Sequence, residues 1–193
     1  MKKLLSLLAL AVLTPGIFAA ENIYRGNSRD DKDLVCCYMG GRFYADAARK
    51  QQLYHHPGNM VCKEGSANAK NAIYRLMGGK IYKGYSVNKD DCIATVFETK
   101  TSKGDTLEAK IYKGFVVVRN VETSYDKETK SDTVTSFKVT SDGINEIKPE
   151  VLFTVANNKI YRGDSTDDKD CLLTYTGKFS AGRLLFMAVE LTR

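Results

Sequence analysis

The chain has 193 residues, a formal charge of +6, no Trp and only two His. That length is one domain's worth and can hold a sizeable core. Lys and Arg are scattered instead of clustered, which does not imply nucleic acid as a partner.

Residues 1–20 read as an export signal. Lys2 and Lys3 precede the apolar run Leu4–Val12, Pro15-Gly16 breaks it, and Ala19-Ala20 offer small residues for cleavage. Removing the two lysines takes the charge from +6 to +4. No second long apolar run follows, so residues 21–193 are expected to form a single exported domain, periplasmic or secreted, without a transmembrane helix.

The first unit runs from Ile23 to Gly40. Ile23-Tyr-Arg is β-prone, Gly26 ends it, and the polar stretch through Asp33 favours a turn because Ser and Asp side chains bond their own backbone. A second β-prone run, Leu34–Met39, completes a hairpin. Ala45–Tyr54 is built of good helix formers and predicts a short helix. His55 and His56 follow it and are read as a polar loop, since adjacent residues point apart and no partner ligands are evident. Val61-Cys62 returns to the hairpin pattern; the stretch after Ser66 is compatible with a helix start, but Ala72, Tyr74 and Leu76 favour a strand. Ile81-Tyr-Lys-Gly opens another hairpin, with Cys92–Val96 as its return.

Lys110–Val121 reads as one long strand, Ser124–Asp132 as a charged turn and Thr133–Thr140 as the returning strand. Val151–Val155 is a further strand. Ile160 to Gly177 repeats Ile23 to Gly40 at 11 of 18 positions. Arg183–Leu191 is expected to be the last strand.

Unit starts fall at Ile23, Phe43, Val61, Ile81, Ile111, Ile160 and Phe179, with room for another near Phe137. A period of about 20 residues marks a repeat architecture. In the second strands one parity is apolar in every clear copy: Leu34/Cys92/Cys171, Cys36/Ala94/Leu173 and Tyr38/Val96/Tyr175. That parity is assigned to the core. The fold class is therefore all-β: antiparallel hairpin repeats in a meander, closed as a barrel or propeller-like ring, with an open β-solenoid as the alternative. The likeness of the first and last units favours the ring, where they are neighbours.

Five cysteines remain after the signal: Cys36, Cys37, Cys62, Cys92 and Cys171. Buried free thiols and one or two disulfides are both open, and an odd count leaves at least one thiol unpaired within the chain. Arg162-Gly-Asp-Ser165 is read as a strand end and turn, and the Asp clusters at 30–33, 90–91 and 167–170 as solvated turns instead of Ca²⁺ loops. No catalytic constellation, cofactor motif or metal set is evident.

The Ile-Tyr-Lys/Arg-Gly-x-Ser units resemble short hairpin repeats of exported bacterial proteins whose function is unknown. The resemblance covers three units and implies export and a hairpin fold, with no activity attached. Choline-binding repeats and MORN repeats are more distantly similar; the first need Trp and the second carry more glycines.

The leading functional expectation is a non-enzymatic exported binding or envelope-associated module. Its candidate surface is Tyr24/Arg25, Tyr82/Lys83, Tyr112/Lys113 and Tyr161/Arg162, facing a glycan or anionic polymer. The alternatives are a small enzyme inhibitor, which needs a projecting loop such as Ser124–Asp132, and a hydrolase, which needs two close carboxylates in a cleft.

Overall fold

Isoleucine, valine and tyrosine fit a pleated, half-buried surface, so each unit start becomes a strand. In the computed structural model, which describes residues 20–63, 68–102, 107–128 and 130–193, these strands close on themselves. Residues 1–19 of the expected signal, and Ser66, lie outside the described residues.

Unit 1 pairs β1 (Glu21–Arg25) with β2 (Leu34–Met39), and unit 2 pairs β3 (Arg42–Tyr44) with β4 (Gln52–His55). Unit 3 comprises β5 (Met60–Lys63) and β6 (Ala72–Met77); unit 4 comprises β7 (Lys80–Lys83) and β8 (Cys92–Ser102). Unit 5 opens with β9 (Leu107–Lys113), inserts a hairpin of β10 (Val117–Asp126) and β11 (Ser131–Thr140), and closes with β12 (Val151–Ala156). Unit 6 is β13 (Lys159–Arg162) and β14 (Cys171–Tyr175). Among the described residues, twelve strands from these six units form a closed antiparallel barrel. β1 pairs with β14, so the first and last units are neighbours, and β8 pairs with β9 to complete the ring. Closure removes the unpaired edges that an open meander leaves.

The six unit starts Ile23, Phe43, Val61, Ile81, Ile111 and Ile160 are each 0% exposed and face one core. Units 1 and 2, 3 and 4, and 5 and 6 meet through two-residue turns. Gly40-Gly41, Gly78-Gly79 and Asn157-Asn158 all have positive φ at both positions, which type I′ turns require and which Gly and Asn tolerate. These turns gather at one end of the barrel, and the longer loops within units gather at the other.

Every unit carries one extra residue at the same place in its second strand. The ladder skips Val35, Leu53, Ile73, Ile93, Leu152 and Leu172, which makes each a β-bulge. All six pack against the core. The bulge reverses the alternation, so Leu34, Cys92 and Cys171 do not continue the inner face as the strict parity implies. They lie opposite Tyr24, Tyr82 and Tyr161, and Cys171 joins Tyr161 and Ala156 in a separate small cluster. The bulge carbonyl also receives the neighbouring unit's glycine: Gly26 N–H donates to Leu172 and Gly84 N–H to Ile73, both at 2.8 Å, with Gly114 to Ile93 and Gly163 to Leu152 alike. Thr174, Thr95 and Thr154 then donate back to the carbonyls of Gly26, Gly114 and Gly163 at 2.7–2.8 Å.

The barrel axis is filled by the end of the chain. Helix α1 (Ala181–Phe186) runs into a π-helical turn, Met187–Leu191, and Leu184 to Ala188 are all 0% exposed. Burying Leu184, Leu185, Phe186, Met187 and Val189 contributes on the order of 8–15 kcal/mol. The expected last strand at Arg183–Leu191 is thus corrected to a helix. A closed ring has no edge to receive a strand, and inside it only a helix can satisfy its own backbone groups.

Other expectations are corrected. Ala45–Tyr54 is no helix. The Asp46 carboxylate accepts from Lys50 and Gln51 N–H, Arg49 takes φ 58°, and the chain turns back into β4. Lys110–Val121 is two strands, broken where Gly114 adopts φ 67° to reach Ile93. Phe137 lies inside β11 and starts no unit, so the 49-residue gap is one unit with an inserted hairpin. Phe179 sits before α1, buried against Tyr38 and Tyr175.

Candidate functional site

In five of six units the residue after the outward aromatic or Cys is a cation: Arg25, Lys63, Lys83, Lys113 and Arg162, all exposed. They end the first strands, at the loop end of the barrel. The tyrosines of the proposed stripe do not accompany them. Tyr24, Tyr82, Tyr112 and Tyr161 are 6%, 3%, 3% and 2% exposed, so the aromatic half of the stripe packs the wall and only the cations reach solvent. A 3₁₀ turn lies between the two strands of units 1, 3, 4 and 6, at Asp31–Asp33, Ala69–Asn71, Lys89–Asp91 and Asp168–Asp170. In unit 6 it is tied back by Lys159–Asp168 at 2.9 Å. The structure brings Arg25, Lys83, Lys113 and Arg162 to one rim and separates them from their tyrosines.

Among the described residues three hollows line this rim, each topped by a repeat cation and walled by bulge residues. The largest, about 440 Å³, is lined by Lys63, Ile73, Tyr74, Lys83, Ile93, Glu190 and Arg193. A neighbouring hollow of about 300 Å³ has Gln52, Leu53, Tyr54 and Lys63. The third, about 320 Å³, has Arg25 over Val35 and Leu34, with Lys32 and Asp33. The bulge causes this layering, because it turns a branched apolar side chain toward the mouth directly below the cation. Lys113 is already paired with Glu150 at 2.8 Å. Among the described residues no acid stands within ion-pair distance of Arg25, Lys63, Lys83 or Arg162.

Glu190, on the last helical turn, forms the floor of the largest cleft. Its two oxygens accept from Tyr54 Oη at 2.9 Å and Tyr74 Oη at 2.6 Å, and the Arg193 guanidinium lies 3.4 Å away. Burial, then the hydrogen bond to Glu190, pushes the Tyr74 phenol up to about 12, and the Tyr54 phenol rises for the same reasons. Both therefore stay protonated and donate. Among the described residues Glu190 is the only acid lining the cleft, and its oxygens are committed, so the paired free carboxylates of a hydrolase are not assembled there.

At the tight-turn end Arg183 lies over the Tyr38 ring at 4.7 Å, and His56 packs nearby with Nε2 buried and unpartnered among the described residues. Burial, then Arg183 and His55, lowers His56 to about 4. Between its ordinary 6.5 and about 4, the unfolded chain takes a proton that the folded chain refuses, so this stability is lost as pH falls through that window. Allowing for partial exposure, the loss is about 1–2 kcal/mol. Denaturant midpoints are expected to fall between pH 7 and pH 5, and less so in His56→Asn. Glu21 acts with the opposite sign: burial raises its carboxyl, so its contribution is fully present below the ordinary carboxyl value and is lost as pH rises through the raised one.

All five cysteines are free and buried, and burial pushes Cys36 up to about 12, so none is a poised thiolate. Arg162-Gly-Asp-Ser165 is a strand end and turn: Asp164 pairs with Lys110 at 2.8 Å and Ser165 donates to Asp170 at 2.7 Å. No group of three or more metal-ligating side chains occurs among the described residues, and no helix among them is long and apolar enough to cross a membrane.

Sequence reasoning missed Lys63, Tyr54, Tyr74, Glu190 and Arg193. Lys63 was within reach, since Val61-Cys62-Lys63 occupies the slot of Ile81-Tyr82-Lys83. Glu190, a single acid closing an apolar run, signals a buried partner only once that run is known to enter the barrel. The chain matches no family model, no curated protein and no solved structure.

Proposed function

We propose that this protein is an exported, non-enzymatic binding module that takes an anionic ligand, such as an acidic polymer of a bacterial envelope, at the loop-end mouth of its barrel. The observation that carries this is the rim of repeat cations, four of them without an acid partner among the described residues, of which Arg25, Lys63 and Lys83 stand over bulge-walled hollows. Low-dielectric walls strengthen the field of charges that share a cleft, and a barrel mouth is a common place for ligands.

The test is retention of the purified protein on envelope polymers across a salt series. Reversing Lys63 and Lys83 to Glu together should weaken retention about tenfold or more, because each exposed pair lost is worth about 0.5–1 kcal/mol and reversal adds repulsion. Lys113→Ala, at a cation already neutralised, should change retention less than twofold. Equal loss in both variants, or none, removes the reading.

A second reading, an inhibitor acting on a protein partner, is favoured by one observation. Unit 5 replaces its loop with the β10–β11 hairpin, whose residues Arg119–Asp126 are all exposed. A stoichiometric protein partner whose binding is lost when this hairpin is shortened, and kept in the Lys63/Lys83 variant, supports it.

A further inference from the structure

Resting on the anion-binding reading, the chemistry of the largest cleft narrows the ligand class. The cleft is layered from solvent inward. Lys63 and Lys83 stand at its lip, exposed and without an acid partner among the described residues. Below them are Ile73 and Ile93, half-buried bulge residues packed against the core. At the bottom Tyr74 and Glu190 satisfy one another at 2.6 Å, and the largely exposed Arg193 reaches back to pair with Glu190 at 3.4 Å. The floor thus offers no free charge, the walls are aliphatic, and the unspent charge is at the lip. A polyanion laid across the rim would satisfy the lysines and leave the two isoleucines wet. A small inorganic ion would do the same.

We infer that the Lys63–Lys83 cleft takes an amphipathic monoanion, an aliphatic carboxylate whose head sits between the two ammonium groups and whose chain lies against Ile73 and Ile93. The cleft of about 440 Å³ has room for roughly fifteen non-hydrogen atoms, taking each as the 30 Å³ share of a water molecule. A ten-carbon chain fits within it. Each methylene buried against the isoleucines should add about 0.8 kcal/mol, close to fourfold in affinity, until the cleft is filled.

The probes are sodium butyrate, hexanoate, octanoate and decanoate, each titrated by calorimetry below its micellar concentration into the full protein, with decanol as the uncharged control. Affinity is expected to rise about threefold to fourfold per methylene, to fall at least tenfold for decanoate in Lys63→Gln/Lys83→Gln, and to be absent or much weaker for decanol. Methyl NMR should report decanoate at Ile73 and Ile93, a readout that needs no variant. Equal affinity for butyrate and decanoate overturns the inference, as does a chain-length dependence indifferent to the two lysines or methyl shifts confined elsewhere. Binding only to vesicles of phosphatidylglycerol and phosphatidylcholine, with none to soluble decanoate, overturns it in favour of a bilayer surface. If envelope polymers are retained through Lys63 and Lys83 while decanoate is not, the inference falls and the anion-binding reading stands; if neither binds, both fall.

Discussion

Phe186→Ala is expected to cost about 3–5 kcal/mol of stability and to lower the thermal midpoint by about 10 °C or more. Phe186 is 0% exposed at the barrel axis. Its ring meets Phe43 at 5.0 Å, Tyr54 at 5.2 Å and Tyr74 at 6.3 Å, so it touches units 2 and 3 at once. The cavity left by truncation has little means to collapse. The helix is held at one end by Arg183 over Tyr38 and at the other by Glu190 between two phenols, and a closed wall of hydrogen-bonded strands does not move inward for a few missing carbons. Denaturant melts at fixed pH measure the loss. A change below about 1 kcal/mol would mean that the helix does not fill the axis. Phe43→Ala should behave alike, and the double variant should cost less than the sum, because the two rings share one cavity.

The ring was legible because the repeat states its own phase. Six of the positions read as unit starts, from Ile23 to Ile160, proved to have no exposure at all, and the likeness of Ile23–Gly40 to Ile160–Gly177 anticipated the pairing of β1 with β14. What strict alternation hid was the bulge. Val35, Ile93 and Leu172 stood in the parity assigned to the other face, and a two-residue period has no way to register one extra residue. Leu184–Val189 misled for a related reason. A continuous apolar run carries no period, so helix and strand are indistinguishable until topology decides, and here the ring had no place for a thirteenth strand. The candidate surface was half legible. The repeat put the cations where the mouth needs them, but it also suggested that tyrosines beside exposed cations are exposed. On a strand, neighbours face opposite ways, and the outer face of this wall is covered at Tyr161 by Cys171 and Ala156.

The second large effect is expected at Glu190. Glu190→Ala should destabilise the protein by about 2–4 kcal/mol, because it strips the acceptor from two phenols that are largely buried and lets the helix end loosen from units 2 and 3. The cost is bounded from above by the open cleft, where water can reach part of the vacated site. In a Tyr54→Phe/Tyr74→Phe background the carboxylate has no phenols to receive, so the same Glu190→Ala change should cost at least 1 kcal/mol less, and the difference measures the coupling. Tyrosinate absorbance gives an independent reading. The Tyr74 phenol is held near 12 by burial and by donation to a carboxylate, so removing the carboxylate should bring part of the tyrosine titration to lower pH. Glu190→Gln separates the two causes. The amide oxygen can still accept from one phenol, but the charge that resists tyrosinate formation is gone. It should retain more stability than the alanine variant while shifting the titration in the same direction. A stability loss in Glu190→Ala that is unchanged in the double-phenylalanine background would place the cost in helix packing and remove the phenol clamp as its cause.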